Sequence, residues 1–243
     1  MEKQIFTQSF AIRSSEVRPS GNAKLQTICD LLQEVAGNHA LELNWDVTQL
    51  KEHNLTWFLH RLDLEIEKYP RWRENVTVQT WPSGSDRLRA YRDFLILDDN
   101  EEVLVRALSY WLMINLESRR PSRMPKEVLE ISPKNTDHVL PLKDDRPQFP
   151  ENIFDKKQFA VRYSDLDINE HVNNIKYVEW ITETLPVQHQ IKAFDIEFKA
   201  ECGYGSKVKI TTGATEKGDI GAVVKQTENE KIMATAEMIV DNA

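Results

Sequence analysis

Asp165, Asp167, Asn169, Glu170 and His171 crowd into one short stretch of the chain, and their side-chain types suit them to acid–base work. An imidazole donates or accepts a proton according to its tautomer, an amide donates to a developing oxyanion, and a carboxylate can take a proton from water. The segment that follows has apolar Val172, Ile175, Val178, Ile181 and Leu185, the spacing of one buried helical face. Polar groups at a helix N-terminus sit beside unpaired backbone N–H groups and the positive end of the helix dipole. The arrangement is therefore suited to stabilising negative charge on a carbonyl oxygen. Asp165, Asp167 and Asn169 also open like a calcium loop. Glu170 and Lys176, however, stand where such a loop needs a glycine and a chelating glutamate.

Two long patterns must position this cluster. The first half has Leu25, Ile28, Leu32, Val35, Ala36, Ala40 and Leu43 on one face, which predicts a helix over 23–43 with Asn22 as its cap. Around it, Ile5–Ile12, Thr56–Glu67, Val76–Trp81, Leu88–Leu97 and Val103–Ile114 read as strands, the last two joined through Asp98-Asp99-Asn100. Residues 132–152 carry Pro133, Pro141, Pro147 and Pro150 among charges and amides and read as a linker. Beyond them come a strand at Phe159–Tyr163, the polar run with its helix, and strands at Phe194–Phe198, Val208–Thr212, Ala222–Thr227 and Ile232–Val240. Each half thus reads as strand, helix, then antiparallel strands, a repeat of pattern with little identity. The expected class is α+β, with domains at 1–131 and 153–243 around that linker.

Composition narrows the function. At 243 residues with a formal net charge of −8, the chain is a poor partner for nucleic acid or an anionic membrane. No apolar run reaches the roughly 20 residues that span a bilayer, and the N-terminus has neither signal nor transit character, so a cytoplasmic protein is expected. Cys29 and Cys202 form no CxxC pair, which removes disulfide-framework and zinc readings. An acidic protein partner would need a basic patch: Arg87, Arg89 and Arg92, or Arg119, Arg120 and Arg123, or Lys156 and Lys157.

The run Asp167-Ile168-Asn169-Glu170-His171-Val172-Asn173-Asn174, then Lys176-Tyr177, Trp180 and Glu201-Cys202-Gly203, resembles the acyl-acyl carrier protein thioesterases of fatty acid synthesis. Gln33-Glu34-Val35-Ala36 with His39, Trp111 to Asn115, Arg119-Arg120-Pro121 and Met124-Pro125 extend the likeness over nearly the whole chain. It is to a bacterial-type member, without the plastid transit segment of plant forms. The resemblance implies a tandem (double) hotdog, two curved antiparallel sheets each wrapped around a long helix. It also implies hydrolysis of fatty acyl-acyl carrier protein, releasing free fatty acid, with no cofactor and no metal. Asp167, Asn169, His171 and Glu201 fall on the family's catalytic positions, and Cys202 on a cysteine once viewed as its nucleophile.

In that scheme Asn169 and His171 polarise the carbonyl, helped by backbone N–H groups near Asn173 and Asn174. Asp167 fixes the imidazole tautomer, and a buried Glu201 activates water. The first half, which has Gly21-Asn22-Ala23-Lys24 at the matching place, is expected to line the acyl pocket with Leu25, Ile28, Leu32, Trp57, Leu59, Leu62 and Trp81. A partner carrier protein and a monomer or homodimer are expected. Rival readings are an acyl-coenzyme A thioesterase, a dehydratase, and an acyl-binding module without turnover.

Overall fold

The computed structural model describes residues 4–131 and 137–242, so Pro133 of the expected linker lies outside the described residues. The chain divides into two compact units, Met1–Leu142 and Lys143–Ala243.

In the first unit, β1 (Phe6–Ala11) precedes α1 (Leu25–Glu42) and α2 (Val47–Glu52), followed by β2 (Leu55–Ile66), β3 (Asn75–Ser85), β4 (Arg89–Leu97) and β5 (Val103–Asn115). The two-residue β6 (Pro121–Ser122) and α3 (Lys126–Ile131) close it. The strands run antiparallel in the order β1-β3-β4-β5-β2, with β6 on β5. In the second unit, β7 (Asn152–Ala160) precedes α4 (Asn174–Thr182), then β8 (His189–Phe198), β9 (Lys207–Ala214), β10 (Ile220–Gln226) and β11 (Ile232–Asn242). Its antiparallel order is β7-β9-β10-β11-β8, the first unit's topology again.

The two long helices, α1 and α4, form because one stripe of their sequence is apolar and a sheet is there to cover it. Leu25, Ile28, Leu32 and Val35 of α1 are buried, and α1 lies against β1 and β3. Each such side chain contributes roughly 1.5–3 kcal/mol of transfer free energy. Tyr177, Val178, Trp180 and Ile181 of α4 are buried likewise, over β9 and β10. Asn22 is not the cap of α1. The N-cap is Lys24, which makes no side-chain cap, and the Thr27 hydroxyl donates instead to the Glu16 carbonyl at 2.9 Å. Asn44, in the left-handed region at φ 59°, ends the helix, with Trp45 N–H donating to the Ala40 carbonyl at 2.8 Å.

The expected linker is partly structural. Leu140 packs with Tyr91, Leu108 and Tyr110, while Val139 N–H and His138 Nδ1 lie 3.1 and 3.2 Å from the buried Asp93 carboxylate. Residues past the division belong to the second unit, where Gln148 N–H donates to Glu237 at 3.1 Å. Proline content signalled an irregular path here, and along it Leu140 and Pro147 are buried while Leu142 and Phe149 are exposed. Among the described residues no helix is long and apolar enough to cross a membrane.

Candidate active site

The polar run folds as a tight loop on the N-terminus of α4. Arg162 N–H donates to Asp165 at 2.8 Å and its guanidinium holds the same carboxylate at 3.0 Å, closing a 3-10 turn over Tyr163–Asp165. Asp165 is fully buried there and so belongs to the scaffold. Leu166 then bridges Val172, and the loop between them turns on Asp167. One oxygen of that carboxylate accepts from Asn169 N–H at 2.8 Å and His171 N–H at 3.3 Å. The Asp167 N–H returns a bond to the His171 carbonyl at 2.8 Å.

Asp167 therefore shapes the backbone and does not face the imidazole, which corrects the role expected for it. The carboxylate that does is Glu201, with Oε2 3.6 Å from His171 Nε2. Glu201 is exposed rather than buried, and its side chain and that of His171 are 36% and 32% accessible. The pair stands open to water. Asn169 is exposed on the same loop. Asn173 caps α4, its side-chain oxygen accepting from Ile175 N–H at 3.0 Å, and Asn174 is the first helical residue. Glu170 completes the turn at φ 63°, a left-handed conformation that costs an L-residue roughly 1 kcal/mol.

Cys202 is fixed at both ends. Its carbonyl accepts from Val172 N–H at 2.9 Å, and its sulfur lies 3.2 Å from the Tyr177 hydroxyl. It is buried, and burial pushes the thiol above its ordinary range, outweighing the opposing Tyr177 hydrogen bond. A thiolate is disfavoured at this position. Cys202 instead clamps the segment bearing Glu201 onto the loop bearing His171. Sequence reasoning missed Tyr177 as that clamp's partner, although it stands on the buried face of α4.

Of the residues expected to line an acyl pocket, Leu25, Ile28 and Leu32 are buried on α1. Register puts Leu62 opposite Ser109 and Ser109 opposite Arg92, on the strand face that turns toward α1. That orientation follows from Arg92, whose guanidinium reaches His39 of α1 at 2.9 Å and Thr80 at 3.2 Å. Trp81, next to Thr80 in β3, points to the other face, as alternation requires, and is separated from this group. Leu59 sits at a bulge facing Trp111. Trp57 donates its ring N–H to the Trp45 carbonyl at 2.9 Å.

The loop of the second unit has a counterpart in the first. Arg13 and Glu16 close the same turn, Val17 bridges Ala23, and Gly21 takes the left-handed position at φ 84° that Glu170 occupies. Ala23 N–H donates to the Pro70 carbonyl as Val172 does to Cys202. Both copies keep an acid in that first turn, Glu16 and Asp165, but only the second carries Asp167, Glu170 and His171.

The family models described as Acyl-ACP thioesterase N-terminal domain and Acyl-ACP thioesterase C-terminal domain match residues 3–132 and 150–242. A dodecanoyl-[acyl-carrier-protein] hydrolase of Cinnamomum camphora is 35% identical over 88% of this chain and 62% of its own length. A palmitoyl-acyl carrier protein thioesterase of Arabidopsis thaliana is 36% identical over 87% of this chain and 55% of its own length. The chain thus spans less than two thirds of these relatives, both chloroplastic proteins. Among solved structures, an acyl-ACP thioesterase from Bacteroides thetaiotaomicron superposes with a TM-score of 0.88 at 26% identity, covering 98% of each chain.

Proposed function

Because this chain belongs to the acyl-ACP thioesterase family, we propose that it hydrolyses the thioester joining a fatty acyl chain to its carrier protein and releases the free acid. The observation that carries the reading is the pair of His171 on the α4 loop and Glu201 between β8 and β9, 3.6 Å apart and open to water. Glu201 takes a proton from a water whose oxygen attacks the thioester carbonyl carbon. Negative charge that gathers on the carbonyl oxygen meets the Asn169 side-chain amide, an N–H of His171 and the positive end of the α4 dipole. The carbon–sulfur bond then breaks, and the departing thiolate recovers the proton. Water is favoured over Cys202 because that thiol is buried, bonded to Tyr177 and pushed up by its surroundings.

The repeated topology supports a tandem hotdog, with the catalytic loop in the second domain and the acyl chain held in the first by α1 and the strand face opposite it. The reading needs no metal or cofactor. It describes a cytoplasmic enzyme, monomer or homodimer, that takes an acyl carrier protein as partner and binds neither membrane nor nucleic acid.

The test is turnover of an acyl-carrier protein by three variants. Glu201→Gln and His171→Ala should each lower kcat by a factor on the order of 10²–10⁴, the usual contribution of an acid–base group. Cys202→Ala should retain most of the rate. Loss of turnover in a folded Cys202→Ala protein, with a trapped acyl group on the wild-type thiol, would overturn the water route.

A further inference from the structure

The two equivalent loops differ in charge. Matched by hydrogen bonding, Arg18, Gly21, Asn22 and Lys24 stand where the second unit has Asp167, Glu170, His171 and Asn173. The strand-end turn that braces the loop repeats as well. Arg73 N–H donates to the Ile12 carbonyl as Gly205 N–H does to Val161, and both residues take a left-handed φ, 70° and 75°. Tyr69, Arg71, Trp72 and Arg73 therefore match Glu201, Gly203, Tyr204 and Gly205. Across these eight positions the first unit has four cations and no acid, whereas the second has three acids, a histidine and no Lys or Arg.

Arg71, Trp72 and Arg73 are exposed, and Arg73 stacks its guanidinium over the Trp72 ring at 4.2 Å. Arg13 nearby is held by Glu16, and Glu74 accepts the Arg71 backbone N–H at 2.8 Å. Arg71 and Arg73 are both exposed, with the Arg71 guanidinium beside Gly21 of the loop and that of Arg73 on the Trp72 ring. In a chain of net charge −8, a cationic loop tipped by an accessible tryptophan is a contrast that fold stability does not require.

We propose that this catalytically silent loop of the first unit is the docking surface for the acidic face of the carrier protein, with Arg71 and Arg73 as its exposed anchors. The inference rests on the proposed hydrolysis of carrier-bound acyl groups and extends it to how the carrier is recognised. Charge complementarity of this kind speeds and orients encounter and weakens with salt. An arginine pair beside an aromatic ring also fits the anchor composition of protein interfaces.

The test uses the whole chain with Arg71→Glu and Arg73→Glu together, a neutral Arg71→Gln and Arg73→Gly pair, and a control pair, Lys217→Glu and Lys231→Glu, that changes net charge equally. Binding of an acyl-free holo carrier protein is titrated at low and moderate salt, and turnover of a small acyl thioester lacking the carrier is measured alongside. The charge reversal should weaken carrier binding about tenfold at low salt, the neutral pair less, and the salt dependence should flatten. The control pair and the small-thioester kcat and KM should stay at wild-type values. Carrier binding that is undetectable in the wild type, unchanged by the reversal, or weakened as much by the control pair overturns the docking surface. Absence of small-thioester turnover in the wild type would instead strike the hydrolase reading, since the titration does not depend on turnover.

Discussion

His39 and Arg92 are two bases 2.9 Å apart between α1 and the sheet, and only one carries charge. Burial, reinforced by the adjacent guanidinium, holds the His39 imidazole down to about 4 from 6.5, and burial lowers Arg92 to about 10. Neutral His39 accepts from Arg92 through Nδ1, which leaves its proton on Nε2, while Phe6 stacks on the ring at 5.3 Å. Between pH 6.5 and about 4 the unfolded imidazole binds a proton that the folded one refuses. This contribution to stability is therefore complete above pH 6.5 and declines as pH falls through that window. His39→Gln retains an acceptor for Arg92 without the titration. Urea midpoints should show the wild type losing on the order of 2 kcal/mol more than the variant between pH 7 and pH 4. Parallel losses in both proteins would contradict the assignment.

At the scale of elements, β9 and β10 meet through Gly213 and Gly221, which leave room for the chain that enters β7. A Cβ on Gly213 would stand 2.7 Å from the Ile153 Cα and 2.8 Å from the Asn152 carbonyl carbon, backbone atoms that cannot rotate away. Gly213→Ala should thus destabilise by about 2–3 kcal/mol. Gly37→Ala in α1, where nothing lies within 4 Å, should stabilise by about 0.5–1 kcal/mol. Calorimetric melting of the two variants tests both signs, and a neutral Gly213→Ala would refute the crowding argument. The long elements were legible because burial imposes a period: α1 and most of the longer strands fall close to where the apolar pattern puts them, but β7 was misplaced, running over Asn152–Ala160 instead of the expected Phe159–Tyr163. The short helix α2 was missed, although Asp46 and Gln49 form a capping box, because six residues are too few to display a helical stripe. Side-chain direction at the site was not legible. The family resemblance put Asp167, His171 and Glu201 in one scheme, but which carboxylate faces the ring depends on backbone hydrogen bonds in the loop. Which face Trp81 takes was not legible either, because facing depends on register, and register depends on the partner strand.

The whole molecule is one topology used twice, with Asp167, Glu170, His171 and Glu201 in one copy where Arg18, Gly21, Asn22 and Tyr69 stand in the other. Duplication explains how the second loop can carry Glu170 in a left-handed position: the turn is a property of the fold, and glycine fills it in the first unit. It also explains the division within the 132–152 segment, since each unit closes its own sheet and recruits part of the connection. The central claim is hydrolysis of a carrier thioester, and its most direct measurement is release of thiol and free fatty acid from matched acyl-carrier protein and acyl-coenzyme A. The account predicts stoichiometric release of both products, faster from the carrier-bound substrate. Preference for the coenzyme A ester would identify an acyl-coenzyme A thioesterase. A dehydrated or hydrated acyl chain with no free thiol, or tight retention of ligand without turnover, would contradict the claim.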